Sequence, residues 1–124
     1  MNRALSSRFL GLVASLLFVA AGLAQSQQAS ISGAITDSSN SAIAGATVTA
    51  SNAALGLRRS TQTNETGFFV LRDLPIGSYI VTVEQQGFRT YSREGLVLST
   101  GQALSLNVAL EIGSVTETVV VTDQ

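Results

Sequence analysis

Hydrophobic and polar residues alternate with a period of two along most of the chain beyond residue 30, and the alternation stops wherever Gly, Pro, Asn or Asp cluster. That period belongs to half-buried β-strands, because successive side chains on a strand point to opposite faces. The clearest stretch runs from Asn64 to Phe88. Asn64-Glu65-Thr66-Gly67 reads as a turn, Phe69 and Leu71 as one face of a strand, and Leu74-Pro75-Ile76-Gly77 as a second turn; Tyr79, Val81 and Val83 then form the face of a returning strand that stops before Gly87. The same reasoning predicts strands over 31–36, 46–52, 58–63, 68–71, 79–85, 89–98 and 103–111. Seven short strands in one domain predict an all-β sandwich.

The alternation also assigns faces. Leu104, Leu106, Val108 and Leu110 point inward, with Ser105, Asn107 and Ala109 outward. Ala46, Val48 and Ala50 form a second inward row, small enough for the two sheets to come close. With Phe69, Leu71, Leu74, Tyr79, Val81, Val83, Phe88 and Val97 these rows make the expected core, while Phe68 and Tyr91 are expected outside. Residues 58–63 are almost entirely polar, which suits an edge strand protected from pairing with a neighbouring molecule. Gly67, Gly77 and Gly87 read as backbone positions in turns and not as phosphate loops, since no helical pattern follows any of them.

The first 24 residues have another character. Arg3 and Arg8 precede an apolar run from Phe9 to Leu23, and Gly22-Leu23-Ala24 is a small-x-small site, so the pattern is that of a secretory signal peptide cleaved between Ala24 and Gln25. The apolar run is 15 residues, short of the roughly 20 that a membrane-spanning helix needs, and polar Gln25-Ser26-Gln27-Gln28 follows it directly. Export, to the periplasm or the periplasmic side of an outer membrane, is therefore the expected destination. Residues 25–30 read as a polar spacer, 31–111 as the sandwich and 112–124 as an extended tail.

Composition narrows the chemistry. The exported chain has five Arg, no Lys and eight carboxylates, a net charge of −3, and its one basic cluster is Arg58-Arg59, so nucleic acid is excluded as a partner. Without His, Cys or Lys there is no Ser-His-Asp triad, no Cys-His pair, no Ser-Lys dyad and no zinc site of the usual kind. The carboxylates are scattered, mostly at turns, and a glycosidase would need two of them across a cleft that a small sandwich rarely provides. No catalytic residue, metal ligand or cofactor site is assigned. Asp37, Asn40 and Asp73 would be the oxygen donors for a calcium ion among the loops, but Asp and Asn are also ordinary turn residues. Asn64-Glu65-Thr66 matches a glycosylation sequon and is equally explained by the turn it forms.

The run of turn-Gly67, Phe69, Leu71, Leu74-Pro75, Gly77, Tyr79, Val81, Val83 and Gly87-Phe88, preceded by ISGAITDSSNSAIAGATVTA from Ile31, resembles the carboxypeptidase regulatory-like domain. The resemblance covers Ile31 to about Glu111. It implies a prealbumin-like Greek-key β-sandwich that carries no catalytic residues. Typical members place a Pro before the second strand. Here Ala42-Ile43-Ala44 stands there, so that turn has less built-in stiffness. Prealbumin-like sandwiches are similar in fold to certain starch-binding modules, which makes a free-standing secreted carbohydrate-binding or adhesion module one reading. Against it, the chain has no Trp, and Tyr91 and Phe68 are thin material for a sugar platform.

The tail supports another reading. Glu117-Thr118-Val119-Val120-Val121-Thr122 resembles the Ton box that follows this domain in Oar-like TonB-dependent outer-membrane receptors, where a signal peptide, this domain, a Ton box, a plug and a barrel come in that order. The resemblance implies two partners: the C-terminal domain of TonB, bound through the tail, and the plug and barrel of the same receptor, of which this chain would be a fragment or a truncated relative. β-propensity alone leaves two states open for residues 115–122, a strand docked on the sandwich or a free segment awaiting a partner. The leader gives the first test. Intact-mass analysis of periplasmic protein should show Gln25 as the first residue, and Met1 retained in a membrane fraction would contradict a cleaved signal.

Overall fold

The computed structural model describes residues 28–122, so the leader, its Ala24/Gln25 cleavage site and the last two residues lie outside the described part. The first six expected strands form close to their expected bounds: β1 (Ala29–Thr36), β2 (Thr47–Asn52), β3 (Leu57–Gln62), β4 (Phe68–Leu74), β5 (Gly77–Glu84) and β6 (Thr90–Leu98). Beyond them come β7 (Ala103–Ser105), β8 (Val108–Ala109) and β9 (Thr118–Thr122). The only helical piece among the described residues is a 3-10 turn at Ala53–Leu55. β1 starts inside the expected spacer, with Ala29 already buried.

Two sheets face each other. In one, β1 lies between antiparallel β4 and the parallel pieces β7 and β8. The other has the order β3-β2-β5-β6-β9, antiparallel except for the last pair. The inward rows meet between them. Ala46, Val48 and Ala50 are fully buried, as are Val81 and Val83 of β5, and Phe69, Leu71, Leu74 and Tyr79 are nearly so. Ile31 and Ile35 of β1 and Ile43 join this core, although the alternation argument did not name them. Burying one such side chain completely contributes roughly 1.5–3 kcal/mol, which is how a chain without disulfides holds together.

The segment expected as one strand over 103–111 is two short ones. It breaks at Leu106 and Asn107, where the Leu106 N–H donates to the Ser32 carbonyl at 2.8 Å and the Asn107 Oδ1 accepts from the Ala34 N–H at 3.1 Å. A side chain thus replaces a backbone acceptor. Leu106, Val108 and Leu110 are still buried, and Leu104 is packed against the core, so the inward row survives the break. Gly33 of β1 is what lets the segment pass, because a Cβ there would collide with the Leu106 carbonyl.

Thr63 compensates for the missing proline before β2. Its Oγ1 donates to the Ile43 carbonyl at 2.7 Å and accepts from the Ala46 N–H at 2.9 Å, while its backbone carbonyl accepts from the Gly45 N–H at 3.0 Å. Together with the burial of Ile43, these bonds hold the loop.

Two expectations about faces are corrected, both in β6. Val97 is 64% exposed and is not a core residue; Leu96 and Leu98 are buried in its place. The cause at Val97 is a bulge. Tyr79 pairs with Leu96 and Val81 with Arg93, so Ile80 alone opposes Glu94 and Gly95, and Gly95 takes a left-handed φ of 73°. One extra residue reverses the alternation beyond it. Tyr91 lies on the other side of the bulge, in register with buried Val83, and is half-buried against the core instead of outside. Urea unfolding separates these positions: Phe69→Ala should cost about 3–5 kcal/mol by emptying a core site, whereas Val97→Ala should change stability by less than about 0.5 kcal/mol. Equal losses would mean that the bulge is misplaced.

Candidate functional site

The tail is built onto the sheet by the residues around Gly87 and Gly113. Phe88 bridges Ile112, the Arg89 N–H donates to the Glu111 carbonyl at 2.8 Å, and the Gly113 N–H donates to the Gly87 carbonyl at 3.2 Å. A turn follows, closed by the Glu117 N–H on the Ser114 carbonyl at 2.9 Å. Thr90 then receives the chain, its N–H donating to the Glu117 carbonyl at 2.8 Å and its Oγ1 to the Val115 carbonyl at 2.9 Å. From there β9 runs parallel to β6, Thr118 beside Thr90 and Thr122 beside Glu94. Of the two states the sequence leaves open for this segment, the docked strand is the one described. It extends the second sheet past the expected domain boundary at Glu111.

Arg89 is the charged centre of this junction. Its Nε lies 2.9 Å from a Glu117 carboxylate oxygen and its Nη1 lies 3.3 Å from one of Glu111. All three side chains are substantially exposed, so each pair contributes no more than about 1 kcal/mol. Val119 and Val121 face the same side as Tyr91 and are only half-buried, while Val120 points outward at 54% exposure. Beside them is a cavity of about 180 Å³ lined by Tyr91, Leu110, Val119 and Val121, together with Arg89 and Glu111. The strand is in register but loosely packed. Glu117 to Thr122 are therefore brought together on one sheet edge. The sequence did not reveal Arg89 as their holder; the signal for it was the pair of acids, Glu111 and Glu117, flanking Gly113.

A larger, open depression of about 670 Å³ lies between the turn at 52–57, the turn at 75–77 and the β6 bulge. Its wall carries exposed Leu55, Ile76 and Ile80, with Arg58 and Glu94 among the lining residues. Tyr79 reaches it but is 1% exposed, and its hydroxyl donates to the Pro75 carbonyl at 2.7 Å. That leaves no aromatic platform. Phe68 is exposed, as expected, on the edge strand β4.

Of the residues considered for calcium, Asp37 serves a turn. Asp37 Oδ1 accepts from the Ser39 N–H at 2.9 Å, the Ser39 hydroxyl at 2.7 Å and the Ser41 N–H at 3.0 Å. Asn40 and Asp73 occupy left-handed positions, at φ of 69° and 57°. Asn64 Oδ1 repeats the Asp37 pattern, accepting from the Thr66 N–H, the Thr66 hydroxyl and the Phe68 N–H. Among the described residues no three or more acidic side chains gather into a metal-binding group.

The sequence profile of the carboxypeptidase regulatory-like domain matches residues 30–111. The chain belongs to that family. The family is one of regulatory-like or binding β-sandwiches, which fits a non-catalytic module. No curated protein matches the sequence. Among solved structures, the domain is similar to the TIE protein of Bacillus anthracis, with TM-score 0.56 and 22% identity over 69% of this chain and 17% of that one. It is also similar to a provisionally assigned carbohydrate binding protein from Bacteroides uniformis, with TM-score 0.55 and 16% identity over 68% of this chain and 41% of that one. A third likeness is to the hydroxyquinol 1,2-dioxygenase of Pseudomonas putida DLL-E4, with TM-score 0.56 and 9% identity over 73% of this chain and 58% of that one. The chain spans less than two thirds of each. At these identities the likeness is one of fold, which hosts unrelated functions.

The Asp37 turn generates a pH prediction. The Ser39 hydroxyl first, and then the Ser41 N–H, hold the Asp37 carboxyl below the ordinary value of 3.8. A carboxyl lowered by folding stabilises the fold above its unfolded pKa, and that contribution is lost as pH falls through the folded value. NMR of the Ser39 and Ser41 amides should therefore show the turn intact at pH 5 and opening only below the ordinary carboxylate range. Opening already near pH 5 would contradict the bonding described.

Proposed function

We propose that this chain is the non-catalytic, periplasmic N-terminal module of a TonB-dependent outer-membrane receptor, and that residues 117–122 are the strand it offers to the C-terminal domain of TonB. The observation that carries this reading is the tail itself: a β-branched, Ton-box-like segment, held only at the rim of a sandwich of the carboxypeptidase regulatory-like family, with one backbone edge paired and the other open. Such a segment suits strand addition, in which backbone bonds supply affinity and alternate side chains supply register. The cleaved leader would bring the module to the periplasm, where TonB acts. The rest of the receptor, a plug and a barrel, would do the transport.

The exported chain should be retained on immobilised TonB C-terminal domain from the source organism. Val120→Pro should weaken that retention by about tenfold or more, since it removes a backbone donor and fixes φ in the middle of the strand. An intact chain that TonB does not retain, with Val120→Pro equally inert, would leave the free-standing secreted module, carbohydrate-binding or adhesive, as the better reading.

A further inference from the structure

The groups by which a partner would recognise the tail are already engaged within the chain. Glu117 is ion-paired to Arg89, its carbonyl is bonded to the Thr90 N–H, and Val119 and Val121 are turned towards Tyr91 and Leu110. A partner that added a strand to the open edge of β9 would find the backbone, Val120 and two threonines. It would not find Glu117, Val119 or Val121.

We propose that the edge of β6 is the resident receptor for residues 117–122, and that docking there and strand addition to a partner exclude one another. The proposal rests on the reading of that segment as the partner-binding strand, and it adds what regulates it. Three features of the junction fit a reversible seat. The register is fully specified, from Thr90 beside Thr118 to Glu94 beside Thr122. The packing is incomplete, with a cavity of about 180 Å³ beside two half-buried valines, whereas Val48, Val81 and Val83 of the core are fully buried. The holding charges are exposed, which makes them weak and sensitive to salt. The part before the turn is more firmly attached, through the Phe88–Ile112 bridge and the Arg89–Glu111 backbone bond, so Gly113 marks where release would begin. The backbone after it is held by Thr90 and then by the ladder to β6.

The affinity a partner measures is then its intrinsic affinity multiplied by the fraction of molecules with the tail released. The absence of cysteine from the chain allows a direct test. Ser92 and Val120 are register partners. Adjacent strands lie about 4.8 Å apart, within the range a disulfide spans. In the exported chain carrying Ser92→Cys and Val120→Cys, oxidation should form an intramolecular disulfide and lower affinity for the TonB C-terminal domain by at least about tenfold, and reduction should restore it. Arg89→Ala, without the cysteines, should bind TonB several-fold more tightly than the unaltered chain and exchange the amides of residues 118–122 faster. Equal TonB affinity in the oxidised and reduced forms would overturn the proposal, because the partner would then be using the outer edge of the docked strand. Failure of the disulfide to form, with residues 118–122 exchanging as a free peptide, would overturn the docking itself. Absence of TonB binding in every form, with the disulfide formed normally, would remove the receptor reading and with it the exclusion proposed.

Discussion

The approach of the Leu106 carbonyl to Gly33 is the constraint on which the rest of the structure depends. At this point the segment between β7 and β8, which runs parallel to β1, presses against it, and only a residue without a Cβ lets the two backbones come so near. The ladder is interrupted there, and Asn107 fills the gap with its own side-chain oxygen. Beyond it Val108 and Leu110 are delivered into the core and Glu111 to the backbone of Arg89. The tail's starting point is thus set by a glycine about eighty residues earlier in the chain. A larger residue at position 33 would displace β8, and with it the anchor from which β9 reaches β6.

Stability is distributed unevenly as a result. The sandwich proper is a set of fully buried aliphatic rows and two aromatic side chains, Phe69 and Tyr79, and its loops are tied by Thr63, Asp37 and Asn64 through bonds to neighbouring backbone. By contrast, β9 adds two half-buried valines, one ladder of parallel bonds and exposed ion pairs. Local opening free energies track such differences in burial, so β9 belongs to the part of the molecule that opens first. A weakly held strand with a specified register is what a segment needs if it is to be both stored and used.

Much of this was legible in the alternation of residue types, and the places where it was not have a common cause. Phe69, Leu71 and Leu74 were placed correctly although a bulge separates the last two, because Leu74-Pro75 announced a turn and drew attention to its flanking apolar residue. In β6 no such signal stood beside Gly95. Its glycine looked like any other in a strand, the period of two was carried through it, and Val97 was turned inward on the wrong face; the same period puts Tyr91 inward, where it is found opposite Val83. The split of 103–111 was hidden in the same way, since an asparagine on the outward row gives no sign that its side chain will complete a backbone ladder. The site was partly readable: the segment 117–122 stood out by composition, but whether it was docked depended on Arg89, which lies more than twenty residues away in sequence.

The edges of the two sheets show why function is better sought at β9 than in either cavity. An open strand edge is a template for unwanted pairing, and proteins blunt it with charge, bulges or cover. The edge strand β3 carries Arg58 and Arg59, both exposed. The edge strand β4 carries the bulge at Arg72 and Asp73, opposite Ser30. No such device protects β9, which is Thr-Val-Val-Val-Thr with no charge along its length. Meanwhile the Asp37 and Asn64 side-chain oxygens are spent on turns, and the larger depression offers aliphatic walls with a single Arg and a single Glu. Beside the guarded edges β3 and β4, the uncharged β9 is the segment left for backbone-directed recognition once it leaves β6, the chemistry that a β-branched strand can supply without a catalytic residue.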